Sequence, residues 1–135
     1  MKLVANAIFP FGRFPVGRRV LVCDDERHIA RLIQVNLERQ GYTVVCAYDG
    51  AQALKQLEEL DDFGRPRFDL VVLDVMMPIM DGFDVLKWIR TTEYTRDLRV
   101  VMMTAKNQDR MVLDQLPYRP DKYVSKPFNP LELQF

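Results

Sequence analysis

The feature that most constrains this chain is an alternation. From Arg19 onward, short runs rich in β-branched and apolar residues trade places with stretches whose apolar residues recur at helical spacing. "RVLVC" (19–23) reads as a strand, and Ile29, Leu32, Ile33 and Leu37 then follow a helical period until Gly41 closes the helix. "YTVVCA" (42–47) reads as a second strand, and Asp49 can cap a helix with Ala53, Leu54, Leu57 and Leu60 on one face. After the polar loop "DDFGRPR", "DLVVLD" (69–74) is the third strand, and Asp81-Gly82 opens a helix with Phe83, Leu86 and Ile89 inward. "LRVVMMT" (98–104) is the fourth strand, a weaker helix is expected over about 107–116, and "KYVS" (122–125) is the fifth and shortest strand. Five such units predict an α/β fold, a parallel sheet with helices on both faces, and right-handed crossovers leave few ways to wind it.

Composition fits one domain of this kind. In 135 residues, 48% hydrophobic and 28% charged content is that of a globular chain rather than a disordered one. Lys and Arg total 19, as do Asp and Glu, so nothing marks a chain built to coat nucleic acid or an anionic membrane. No apolar stretch approaches the roughly 20 residues of a membrane span. "MKLVANAIFPFGRFPVG" is too short and too broken by Pro and Gly for a signal peptide. Cys23 and Cys46 lie inside apolar runs without metal-ligand or redox-motif spacing, which predicts buried free thiols and a reducing, cytoplasmic location.

The informative residues are polar ones at the ends of these runs. Asp24 and Asp25 end the first strand, Asp74 the third and Thr104 the fourth, while Lys126 follows the fifth. Ligands of open parallel sheets bind beyond the carboxyl ends of the strands, where the winding reverses. If the first, third and fourth strands are neighbours, all five residues meet on one rim. A lone strand-end acid is most simply a helix cap. Three acids with a Thr and a Lys at matching strand ends are a different matter. Clustered carboxylates must take up a proton or share a cation, and an all-oxygen set in a small open site suits Mg²⁺. The carbonyl just after Asp74 adds a ligand. Asp is a nucleophile in aspartyl-phosphate chemistry, whose transition state needs positioning and charge neutralisation more than covalent help.

The motifs "VLVCDDE", "DLVVLDVMMPIMDG", "VVMMTAK" and "YVSKPF", in this order and spacing over roughly Arg18 to Phe135, resemble the receiver domain of bacterial two-component response regulators. The resemblance implies a flavodoxin-like, doubly wound five-stranded sheet of order 2-1-3-4-5. It also implies that Asp74 is the phosphoacceptor, that Asp25 binds Mg²⁺ directly, and that Asp24 does so mainly through water. The Met76 backbone carbonyl would complete the metal's protein ligands. Thr104 and Tyr123 match the switch hydroxyl and switch aromatic. Lys126 matches the phosphate-binding lysine, held in place by a cis Lys126-Pro127 bond. The implied donor is a histidine kinase or phosphotransfer protein docking on the first helix and rim loops. The domain itself would bind neither nucleic acid nor membrane. It would be a signalling phosphoacceptor with weak Mg²⁺-dependent self-phosphorylation and self-dephosphorylation rather than a turnover enzyme. His28, the only histidine, reads as a surface helix residue.

Two departures stand out. After "KPFNPLELQF" the chain stops, so the last helix is shortened to about two turns. That would leave apolar strand surface to be covered by the rest of a longer regulator, by a second copy in a homodimer through the incomplete fifth-helix face, or by "LVANAIFPF" folding back. Residues 1–17 are accordingly expected to be an extension, disordered or packed over a sheet face, with the receiver domain over 18–135 and cut short in its fifth helix. Before Tyr123, "RPDKY" with Pro120 stiffens the approach to the fifth strand. Trp88 lies off the apolar face of its helix. Two other functions compete. A dehalogenase-type phosphatase would need a second acid where Met76 stands, together with a cap domain. An unphosphorylated binding module would not need the complete acid, Thr and Lys set.

Overall fold

A computed structural model describes residues 18–105, 113 and 116–126 of the chain. Strands β1 (Arg19–Cys23), β2 (Thr43–Ala47), β3 (Leu70–Asp74), β4 (Arg99–Ala105) and β5 (Lys122–Lys126) form one parallel sheet in the order β2-β1-β3-β4-β5. Helices α1 (Arg27–Arg39), α2 (Gly50–Glu58) and α3 (Gly82–Thr91) make the first three crossovers. The order is the one the family resemblance implies, and it reverses between β1 and β3, both central strands.

Alternation along the strands divides the core. Val20, Val22, Leu70, Val72, Val101 and Met103 pack against Ile29, Ala30, Ile33 and Leu37 of α1. On the other face, Leu21, Cys23, Val71, Leu73, Val100 and Met102 pack against Ala53 and Leu57 of α2 and Val85, Leu86 and Ile89 of α3. Every residue of β3 is buried, as a strand covered on both faces requires.

The helix ends follow their sequence signals. Asp49 accepts from the Gln52 N–H at 2.7 Å and caps α2. Asp81 and Asp84 satisfy each other's backbone N–H groups at 3.0 and 3.1 Å, a capping box that starts α3. Gly41, at φ 96°, ends α1 and lets Tyr42 N–H reach the Leu37 carbonyl at 3.1 Å.

Several expectations need correction. Helix α2 stops at Glu58, so Leu60 is not on its apolar face. It lies beyond the helix, is 39% exposed, and forms an antiparallel bridge with Pro66 across a tight turn closed by Asp61. Strand β4 runs one residue past Thr104, and Lys126 ends β5 rather than following it. Trp88 is half-buried against the α2/α3 side of the core, with Tyr94 edge-on at 6.1 Å. Cys23 and Cys46 are free thiols as expected, on opposite faces of the sheet, but only Cys23 is buried and Cys46 is half-buried. The N-terminal extension, most of the weaker fourth helix, Pro127 and the fifth helix fall outside the described residues.

At Gly82 the residue type is dictated by close approach. The loop after Asp74 turns back so tightly that Gly82 lies against the Asp74 carbonyl, and its N–H donates to the Val75 carbonyl at 2.9 Å. A Cβ there would collide with that carbonyl oxygen and lie 2.9 Å from the Val75 Cα, both backbone atoms with little room to give. Gly82→Ala should therefore destabilise the domain by about 1–3 kcal/mol, the usual range for overpacking. Urea unfolding checks this, and a midpoint equal to that of the parent would contradict it.

Candidate functional site

The sheet aligns the acids. The register pairs Cys23 with Leu73, so Asp24 and Asp74 lie level on neighbouring strands. Continuing the alternation places Asp24, Asp74 and Lys126 on the α1 side of the sheet, after Val22, Val72 and Val124. The contacts agree with this placement. Lys126 Nζ lies 2.7 Å from Asp24 Oδ2, 3.1 Å from Asp74 Oδ2 and 3.7 Å from Glu26 Oε1. Asp24 and Asp74 are buried, while Asp25 is exposed in the turn before α1.

One oxygen from each of Asp24, Asp25 and Asp74 can be chosen so that all lie within 4.8 Å of one another. That is a hard, all-oxygen donor set of the kind Mg²⁺ takes. A buried atom points the same way. Among the described residues Asp24 Oδ2 accepts no well-directed hydrogen bond, and the ammonium of Lys126 at 2.7 Å is what offsets its charge. Asp24 Oδ1, by contrast, accepts the Glu26 N–H at 2.9 Å. The residues present fit a divalent cation.

The charges are out of balance. Burial first, then the neighbouring Asp24 charge, raise the Asp74 carboxyl to about 6, although Lys126 and the Met76 N–H, at 3.2 Å from Asp74 Oδ1, pull it down. For Lys126, burial works against the charge. The adjacent carboxylates of Asp24 and Asp74 outweigh it and hold the ammonium above its usual range. Burial also pushes the Cys23 thiol far up, which makes it an inert core residue.

Thr104 is buried on β4, opposite Ser125 of β5. Tyr123 is half-buried against the α2/α3 side of the core, and its hydroxyl donates to the Leu113 carbonyl at 3.5 Å. Both residues follow the alternation of the sheet face opposite Asp24 and Asp74. Met76 stands in the rim loop with 68% of its surface exposed. Nearby Ile79, fully exposed at φ 68°, is the centre of a turn in which Met80 N–H reaches the Pro78 carbonyl at 2.7 Å. A left-handed β-branched residue is strained, and such strain collects at functional rims. His28 is exposed on α1, 3.6 Å from Glu26.

A buried acid beside a lysine, with two more acids at the winding switch of a parallel sheet, defines an α/β domain built to handle a cation and an anionic group together. Comparison with known proteins places it further. The response regulator receiver domain family matches residues 20–134. The regulatory protein VanRc of Enterococcus gallinarum is 40% identical over 118 residues, covering 87% of this chain and 47% of the relative. The response regulator TrrA of Thermotoga maritima, solved in complex with Mg²⁺ and BeF, is 34% identical with a TM-score of 0.69, covering 86% of this chain and 92% of that one. The receiver domain of sensor histidine kinase PA1611 of Pseudomonas aeruginosa, solved with magnesium in its active-site cleft, is 28% identical with a TM-score of 0.71, covering 88% and 93%. The chain belongs to the response regulator receiver domain family. It spans about half the length of the curated relatives it matches.

Sequence reasoning missed Glu26, the third carboxylate around Lys126, although its place directly after Asp24-Asp25 was a usable signal. It also read Gly82 only as a helix start.

The raised Asp74 carboxyl has a consequence for stability. An unfolded Asp titrates near 3.9, so below that value the carboxyl is neutral in both states and costs nothing. Between about 4 and 6 the unfolded chain gives up this proton while the folded protein keeps it, so stability falls across that window and levels off above it. Without divalent cations, Asp74→Asn should stabilise the domain at pH 7.5 by up to about 3 kcal/mol. The gain should shrink steadily toward pH 4. Urea unfolding across this range measures it, and a pH-independent difference would count against the assignment.

Proposed function

We propose that this receiver domain accepts a phosphoryl group on Asp74 from the phosphohistidine of a histidine kinase or phosphotransfer protein. The observation that carries the reading is the buried Asp74 carboxylate, 3.1 Å from the Lys126 ammonium and within 4.8 Å of Asp24 and Asp25. A carboxylate oxygen of Asp74 attacks phosphorus, and the phosphorus–nitrogen bond of the donor breaks. Near pH 7.5 most of the Asp74 carboxyl is ionised and able to attack. Asp25, Asp74 and the Met76 carbonyl would hold Mg²⁺, with Asp24 acting through water. When bound, the cation supplies neutralising charge for the phosphoryl oxygens. Lys126 exchanges its contact with Asp74 for one to a phosphoryl oxygen. Thr104 donates its hydroxyl to another, and Tyr123 turns into the space that Thr104 vacates.

The acyl phosphate formed is lost by slow self-catalysed hydrolysis, so the domain is a signalling device rather than an enzyme acting on an external substrate. The family match begins at residue 20, which supports reading residues 1–17 as an extension before a receiver domain over 18–135. Among the described residues no helix is long and apolar enough to cross a membrane. With free thiols at Cys23 and Cys46, that supports a cytoplasmic location.

Carrying a two-state switch from 1:99 to 99:1 needs roughly 5.5 kcal/mol of differential binding. A hydrogen bond to a charged group gives about 1.5–3 kcal/mol. Thr104 therefore shares the work with Lys126 and with partner binding.

Two outcomes follow. With Mg²⁺ and beryllofluoride, fluorine NMR should show a bound adduct for the parent and none for Asp74→Ala. Steady hydrolysis of many phosphate esters would favour a phosphatase instead. Thr104→Ala should still form the adduct but lose part of the accompanying shift in backbone amide spectra, and a full shift would sink the scheme.

A further inference from the structure

Arg90, in the last turn of α3, stands at the opposite end of the sheet from the acids and is built into three segments at once. Its Nε donates to the Arg119 carbonyl at 3.0 Å. Nη1 donates to the carbonyls of Arg96 at 2.9 Å and Leu98 at 2.6 Å, and Nη2 reaches Asp121 Oδ2 at 3.1 Å. These contacts use four of the five N–H donors of a guanidinium, and the side chain is only 16% exposed. Lysine could not reproduce that fork.

Asp121 is the hinge of the arrangement. The oxygen that meets Arg90 also accepts the Val100 N–H at 2.7 Å, and the Asp121 N–H donates to the Val100 carbonyl at 2.8 Å. Val100 directly precedes the first matched pair of the last two strands, Val101 with Lys122. The ladder of β4 and β5 therefore starts from a closed clamp.

Strand β5 needs such a clamp. It is a five-residue edge strand, and none of its residues is fully buried. Apolar burial, the usual guard of register, is weak here. A slip of one residue would move Lys126 by about 3.3 Å and turn it to the other face. Its contacts to Asp24 at 2.7 Å and Asp74 at 3.1 Å could not survive that.

We propose that Arg90 is a positioning residue for the phosphoryl pocket: through Asp121 it fixes the register of β5 and so delivers Lys126 to Asp24 and Asp74. The link to phosphoryl binding rests on the reading of Lys126 given under Proposed function, whereas the link to the placement of Lys126 does not.

The test has two arms, each run on full-length chains shown by circular dichroism to be folded at the assay temperature. In the first, the affinity for beryllofluoride with Mg²⁺ is measured for the parent, Arg90→Met, Asp121→Asn, Lys126→Gln and the Arg90→Met/Lys126→Gln double variant. Arg90→Met should weaken binding at least fivefold and Asp121→Asn by less, since Asn still accepts the Val100 N–H. The double variant should bind no more weakly than Lys126→Gln alone. A merely structural Arg90 would instead give multiplying losses, and that result, or unchanged binding in the single variants, overturns the proposal. The second arm needs no phosphoryl chemistry. Acetylation of Lys126, followed by peptide mass spectrometry, should run at least fivefold faster in Arg90→Met and measurably faster in Asp121→Asn, with Lys87 unchanged as the control. Equal rates at Lys126 overturn the proposal even if the parent binds no beryllofluoride. If Arg90→Met does not fold, Asp121→Asn decides both arms.

Discussion

The ammonium of Lys126, held between Asp24 and Asp74, is the contact on which the rest of this structure depends. Two buried carboxylates on adjacent strands repel one another, and one cation does not fully offset them. Burial and the Asp24 charge push the Asp74 carboxyl up to about 6 despite a lysine at 3.1 Å. A pocket so arranged is incomplete alone. It is most stable when further positive charge arrives on the side of Asp25, or when Asp74 is masked. Both needs suit a domain that must respond to a phosphoryl group.

The fold supplies that pocket by simple means. A strand buried on both faces is a stiff post, and β3 ends it with an acid level with Asp24. The chain then reverses through Met76, Pro78 and Ile79 and returns to Asp74 at Gly82, where only a hydrogen fits. Gly82 pressed against the Asp74 carbonyl leaves the backbone there little room to shift. The strain is therefore kept in the charges and, at Ile79, in the backbone.

Much of this was legible in the sequence because it rests on local signals. Strand alternation, the caps at Asp49 and Asp81 and the glycine after α1 are each dictated by nearby residues. So is the placement of Asp24, Asp25, Asp74, Thr104 and Lys126 at strand ends. What could not be read rests on contacts between distant segments. Leu60 fits a helical period, yet the turn closed by Asp61 ends the helix two residues earlier. Arg90 looks like an ordinary last-turn cation, and nothing local shows that it clamps Asp121 thirty-one residues away. Gly82 gives no sequence sign of the carbonyl pressed against it.

The most direct test of the charge imbalance is the titration of the Asp74 side-chain carbon by carbon-13 NMR, with and without saturating Mg²⁺. The predicted midpoint without the cation is about 6, and Mg²⁺ should carry it well below the ordinary carboxylate range. A midpoint near 4 in the cation-free protein, or one that Mg²⁺ leaves in place, would contradict the account.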